Sequence, residues 1–108
     1  MDLCVEVYRL SASFPRDEKF RLTSPIIRSS MSVPANIAEG NARGTRKDYT
    51  HFVSVARGSV AETKNFLLLA VRLGFASSDQ IAPVLALATE VGKMLNALRA
   101  RLSETLNP

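Results

Sequence analysis

Apolar residues recur along most of the chain at the three- and four-residue spacing of a helix, and the strict alternation of a strand is nearly absent. This pattern places the chain in the all-α class and divides it into four segments. The first runs from about Leu3 to Ala12, with Val7 and Leu10 at helical spacing, and stops at Ser13, Phe14 and Pro15. A second starts at Ser24-Pro25, where a serine oxygen can cap the first turn and proline at N1 forfeits no bond. Pro34 cannot donate to the carbonyl of Ser30, which predicts a kink over Ser30 to Val33, with nearby serines serving the freed carbonyl and Gly40 ending the helix.

The third segment is the most sharply punctuated. Thr45 and Asp48 form a start signal, and no breaker stronger than Gly58 occurs before Gly74, giving a helix of about 28 residues and about 42 Å. The fourth begins between Ser77 and Asp79 and continues to about Leu106; a Ser77 cap would put Pro83 deep enough to lose a helical bond. On the third helix Tyr49, Phe52, Ala56, Ser59, Thr63, Phe66, Leu67 and Ala70 share one side and define the intramolecular face. Val53, Val60 and Val71 form a second stripe, and Val55, Leu69 and Leu73 widen the other flank. A helix apolar over so much of its circumference needs a second burial partner, and in a chain this short the simplest partner is another copy of itself. Val53 and Val60 are therefore the predicted centre of an interface between copies.

At 108 residues, the chain has room for one core, so residues 1–108 are read as a single four-helix bundle domain. A composition of 46% hydrophobic and 22% charged residues is globular. The longest uninterrupted apolar run, Phe66 to Val71, is far too short to cross a bilayer, so no membrane association is expected. The opening MDLCVEVYRL lacks the basic-then-apolar order of a secretory signal. Cys4 stands alone, which fits a buried thiol in a reducing, cytoplasmic setting. A net charge of +4 favours a polyanionic partner.

Catalytic chemistry finds little support. In GNARGTRKD, Gly40 to Asp48, the second glycine is followed by Thr45 and Arg46, where a phosphate loop needs lysine and then serine or threonine. His51 is the only histidine, which excludes a histidine-rich metal site within one chain. Glu6, Glu39, Glu62 and Glu90 put one glutamate on each predicted helix, as in a di-iron bundle, but Asn65 and Lys93 stand where the Glu-x-x-His pairs require histidine. No catalytic residue, metal or cofactor is assigned, and the chain is read as a non-enzyme.

From Ser30 to Phe75 the sequence carries a long ordered set of markers: Ser32, Pro34, Asn36-Ile-Ala-Glu-Gly40, Arg43-Gly44, Lys47-Asp48, Phe52, Ala56-Arg-Gly-Ser59 and Glu62. Phe14-Pro15, Asp17-Glu18 and Leu22-Thr23-Ser24 extend it upstream. In these the chain resembles the bacterial four-helix-bundle family first noticed in intervening sequences of 23S ribosomal RNA genes, recognisably over about residues 5–106. The resemblance implies an antiparallel four-helix bundle with a kinked second helix, assembled as a ring-shaped homopentamer, and it implies no enzymatic activity; the family is of unknown function. Accessory proteins of diversity-generating retroelements, a distantly similar group, form pentamers and bind nucleic acid and a protein partner. The first helix is one or two turns shorter than the family pattern, and Pro25 and Ile27 replace its usual glutamine and arginine.

Two sets of residues are singled out. Asn36, Glu39, Gly40, Ser59 and Glu62 form a structural motif in which Glu39 is expected to be buried and paired with Arg57 or Arg43, worth about 1–3 kcal/mol. Gly58 and Ser59 suit close helix approach, and Glu62 either joins that polar network or lines a pore. Arg46, Arg57 and Lys64 fall within roughly 20° of one line on the third helix, with Arg43 and Lys47 adding charge at one end. This basic stripe is the candidate nucleic-acid surface, for RNA or DNA. No aromatic stacking residues accompany it, which argues against a dedicated single-strand reader. The expected function is thus an oligomeric binding or scaffold protein that contacts a nucleic-acid backbone; the alternative is a purely structural homo-oligomeric module that recruits a protein partner.

Overall fold

The computed structural model describes residues 2–106, with side-chain surroundings for residues 2–104. Four helices follow in order: α1 (Asp2–Ser11), α2 (Ser24–Ala42), α3 (Arg46–Arg72) and α4 (Ser78–Leu106). Among the described residues there is no strand. The punctuation of the last two helices matches the sequence reading. Thr45 is extended (φ −117°, ψ 148°) and its Oγ1 accepts from the Asp48 amide at 3.1 Å. Gly74 takes φ 80° after α3, and the Phe75 amide reaches back to the Ala70 carbonyl at 2.9 Å, closing the helix end. At α4, Ser77 Oγ accepts from the Gln80 amide and Gln80 Oε1 from the Ser77 amide, a reciprocal cap that leaves Pro83 inside the helix.

α2 starts at Ser24 with Pro25 in its first turn, as read from the sequence, but the expected serine cap is absent and its far end lies beyond Gly40. A 3₁₀ turn at Arg16–Glu18 and a π-helical turn at Lys19–Thr23 lead directly into it, so Thr23 is already helical and the Ser24 amide bonds to the Lys19 carbonyl. No side-chain cap is made there, because the incoming turns supply the carbonyl acceptor. In the first of these turns Glu18 is buried; its Oε2 lies 2.6 Å from Arg21 Nη2, a charge contact without hydrogen-bond geometry. At the other end the helix passes through Gly40 to Ala42, and the left-handed residue of the turn is Gly44 (φ 81°). Gly40 is buried because α3 crosses it closely: a Cβ there would lie 2.7 Å from Phe52 Cβ and 3.3 Å from Tyr49 Cα.

Through Pro34 α2 runs unbroken. The Ser30 carbonyl that proline leaves without its helical donor is taken from outside the helix, by the Cys4 thiol at 3.1 Å. The neighbouring serines do not serve it, since Ser29 and Ser30 donate to the carbonyls of Ile26 and Ile27. Cys4 is half-buried and clips α1 onto α2.

The α2–α3 seam is lined with hydroxyls. Ser29 and Thr63 meet at 2.9 Å, Ser32 and Ser59 at 2.9 Å, and Asn36 Nδ2 donates to the Ser32 carbonyl and hydroxyl at 2.7 and 2.8 Å. These short polar side chains satisfy one another and let the helices approach closely. On its other flank α3 packs against α4. Val53 and Val60 are 0% and 3% exposed, within the same core as Ala56, Leu67, Val84, Ala88 and Leu95. The expectation that Val53 and Val60 face another copy is therefore wrong: α3 lies between α2 and α4, and the second apolar stripe is buried by α4 of its own chain. The apolar residues left exposed on α3 are Val55, Leu68, Leu69 and Leu73, of which three were assigned to the flanks.

By length and composition α4 is apolar enough to cross a bilayer, and only 22% of its most apolar stretch is buried. Uninterrupted runs alone did not reveal this, because Glu90 and Lys93 divide the stretch. Those two charges would be costly in hydrocarbon, and Ile81, Val84, Ala88, Leu95 and Leu102 are packed into the bundle core.

Candidate functional site

Arg57 and Lys64 sit two turns apart on α3 and open onto the seam with α4. There they line a groove of ≈ 310 Å³ with Val60, Ala61, Ala88, Thr89, Gly92, Lys93 and Asn96. Gly92 forms part of its wall, where a Cβ would meet Val60 Cγ1 at 3.7 Å. Arg57 Nε donates to Asn96 Oδ1 at 2.6 Å, which fixes the plane of the guanidinium and leaves its two terminal nitrogens for another acceptor. One turn further along α4, Arg99 Nε donates to Ser54 Oγ at 2.7 Å. The side-chain ion pairs among the described residues are Glu6–Arg9, Glu18–Arg21 and Glu39–Arg43, so Arg57, Lys64, Lys93 and Arg99 stand without a carboxylate partner. Four cations along one seam, none within 4 Å of a carboxylate among the described residues, create a positive field directed outward.

The other basic residues of the predicted surface are dispersed. Arg46 lines a separate cavity at the α2–α3 corner with Gly40, Asn41, Tyr49 and Leu102, about 16 Å along the helix from Arg57. Lys47 is exposed beside it. Arg43 is committed locally, with Nε 2.9 Å from Glu39 Oε1 and its guanidinium over the Phe52 ring at 5.1 Å. Lys93 and Arg99 join the surface although the stripe read from the sequence did not include them; their contribution depends on the register of α4 against α3. The residue that could have pointed to Lys93 is Gly92, which opens the wall of the groove.

Of the five motif residues, Asn36, Gly40 and Ser59 lie at the α2–α3 seam. Glu39 pairs with Arg43, one of its two expected partners, but the pair is exposed, with side chains 49% and 52% accessible, so the expectation of a buried carboxylate fails. Ser59 packs at the seam while Gly58 meets nothing within 4 Å. Glu62 is outside the hydroxyl network and borders a shallow cavity with Pro25, Arg28, Ser29, Ser32 and Phe66. Glu6 and Glu90 share the α1–α4 groove, away from Glu39 and Glu62.

Comparison with known proteins agrees with this architecture. A protein of unknown function from the S23 ribosomal protein family of Bacteroides thetaiotaomicron shares the fold, with a TM-score of 0.80 at 24% identity over 91% of this chain and 92% of that one. No curated protein matches the chain. Neither the family's description nor the neighbour's names a catalytic activity. Residues 1–97 match the family described as 23S rRNA-intervening sequence protein, and with nearly the whole bundle covered, the chain belongs to that family.

Proposed function

We propose that the protein is a non-enzymatic, homo-oligomeric binding module whose α3–α4 groove contacts the phosphate backbone of RNA or DNA. The observation that carries this reading is the convergence of Arg57, Lys64, Lys93 and Arg99 on one seam with no carboxylate to neutralise them. Guanidinium and ammonium groups so arranged pair with phosphate oxygens and are indifferent to base sequence. Assembly multiplies the effect, because a ring of copies repeats four cations into a continuous band. A ring-shaped homopentamer in the cytoplasm, without membrane contact, is the assembly we favour. Its support is the outer face of α3, where Val55 is exposed one turn from an open Gly58, and Leu69 and the C-capping Leu73 are exposed about 16 and 22 Å further along the same side.

Titration of a labelled RNA duplex, and of DNA of the same sequence, tests the reading. Micromolar binding at low salt, equal across unrelated sequences, is the expected result. No binding to either would transfer the cations to contacts between copies and leave a structural module that recruits a protein partner, a role to which the exposed Met31 and Phe20 would also contribute.

A further inference from the structure

The opposite flank of α4 carries the opposite charge. Asp2, Val5, Glu6 and Arg9 of α1 face Pro83, Ala86, Leu87 and Glu90 of α4 across a groove of ≈ 670 Å³. A second cavity of ≈ 430 Å³ shares Asp2, Leu87 and Glu90 and prolongs the groove to Val91 and Met94. From Pro83 to Met94 this is about 16 Å, or three turns of helix. Apolar side chains lie open in it, with Val5 45% and Met94 66% exposed. Among the described residues the only cation bordering the groove is Arg9, which is tied to Glu6 at 3.1 Å, while Asp2 and Glu90 have no ion pair among those residues. In a chain with 14 basic and 10 acidic residues, an apolar channel bordered by three carboxylates is a local reversal of the overall charge.

We infer that this α1–α4 groove docks a basic amphipathic helix of a protein partner. A ridge of three turns on α4 beside one of about two turns on α1 is a natural seat for a third helix, whose apolar residues would cover Val5, Leu87 and Met94. Its lysines or arginines would reach Asp2, Glu6 and Glu90, which selects against acidic helices. The site is separate from the α3–α4 groove, so the two can be occupied together.

The test uses a fluorescein-labelled amphipathic peptide of leucine and lysine, about 18 residues long, whose helix of about 27 Å covers the groove of about 16 Å with a turn or more to spare at each end. A scrambled isomer of the same composition serves as control. The patterned peptide should bind the protein about tenfold or more tightly than its isomer, and Glu90→Lys should weaken it by about tenfold with helical content and oligomeric mass unchanged. Val5→Ser, which removes floor rather than charge, should also weaken it, whereas Arg57→Ala with Lys64→Ala should leave it intact while affecting only nucleic acid. Equal binding of the scrambled peptide, or full binding by both groove variants, overturns the inference. So does dissociation of the oligomer by Glu90→Lys, which would make the groove a contact between copies. Nucleic-acid binding measured on the same samples reports separately on the α3–α4 groove.

Discussion

Gly40→Ala isolates the close crossing of α2 and α3. The added Cβ would lie 2.7 Å from Phe52 Cβ, 3.2 Å from Tyr49 Cδ1 and 3.3 Å from Tyr49 Cα. The tyrosine ring can swing, but the other two atoms move only with the backbone of α3. Relief therefore requires the helices to separate, and separation stretches the 2.9 Å Ser32–Ser59 and Ser29–Thr63 hydrogen bonds further along the seam. Overpacking of this kind costs about 1–3 kcal/mol, and a 2.7 Å contact that only backbone movement can relieve falls in the upper half of that range, about 2–3 kcal/mol. Alanine returns about 1 kcal/mol of helix propensity relative to glycine, so the net loss should be about 1–2 kcal/mol. For a domain of this size that is a fall in Tm of about 5–10 °C, measured by thermal denaturation followed by circular dichroism. Because the clash is with Phe52 Cβ, Phe52→Ala should not rescue it, and the two losses should be close to additive. A Gly40→Ala protein as stable as its parent would refute the close-crossing argument.

Three further outcomes follow from the same geometry. Cys4→Ala should lower stability by about 1–2 kcal/mol by removing the donor to the Ser30 carbonyl, and Cys4→Ser, which keeps a donor, by less; equal losses in denaturant titrations would mean that only side-chain volume matters there. Glu39→Ala should cost no more than about 0.5 kcal/mol, because its pair with Arg43 is solvent-exposed; a loss above about 1 kcal/mol in a thermal melt would place the carboxylate in contacts made only on assembly. Leu69→Asp with Leu73→Asp should reduce the oligomeric mass seen by light scattering while the subunit stays helical, and an unchanged mass would move the assembly surface off the outer face of α3.

The helices were legible in the sequence wherever a local signal fixes them. Thr45, Gly74 and the Ser77–Gln80 pair act within one turn of their own positions, and all three do what their residue types dictate. The start of α2 at Ser24-Pro25 was legible from the proline in its first turn, but the π-helical turn that leads into it was not, because no cap residue marks it. Neither was the role of Cys4, whose partner lies 26 residues away across two helices. Periodicity gave the apolar stripes of α3 but not their owners: Val53 and Val60 could face α4 or another copy, and only the bundle decides. The same limit governs the candidate site. Arg57 and Lys64 share a helix and their alignment follows from helical geometry, whereas Lys93, Asn96 and Arg99 reach them through a register between helices that no spacing within α4 reveals.

The central claim is that the uncompensated cations of the α3–α4 groove hold nucleic-acid phosphates, and the salt dependence of binding measures it most directly. Affinity of the parent for an RNA or DNA duplex and of the Arg57→Ala, Lys64→Ala double variant would be taken by fluorescence anisotropy across a series of salt concentrations. Each phosphate neutralised contributes about 0.9 to the slope of log affinity against log salt for duplex DNA and about 0.7 for a single strand. The parent should bind in the micromolar range at low salt, with affinity falling steeply as salt rises. In the double variant the affinity should be lost or the slope made shallower by about two phosphates per engaged subunit, with the oligomeric state unchanged. A double variant that binds with the parent's affinity and slope, or a parent that binds neither nucleic acid at low salt, would contradict it.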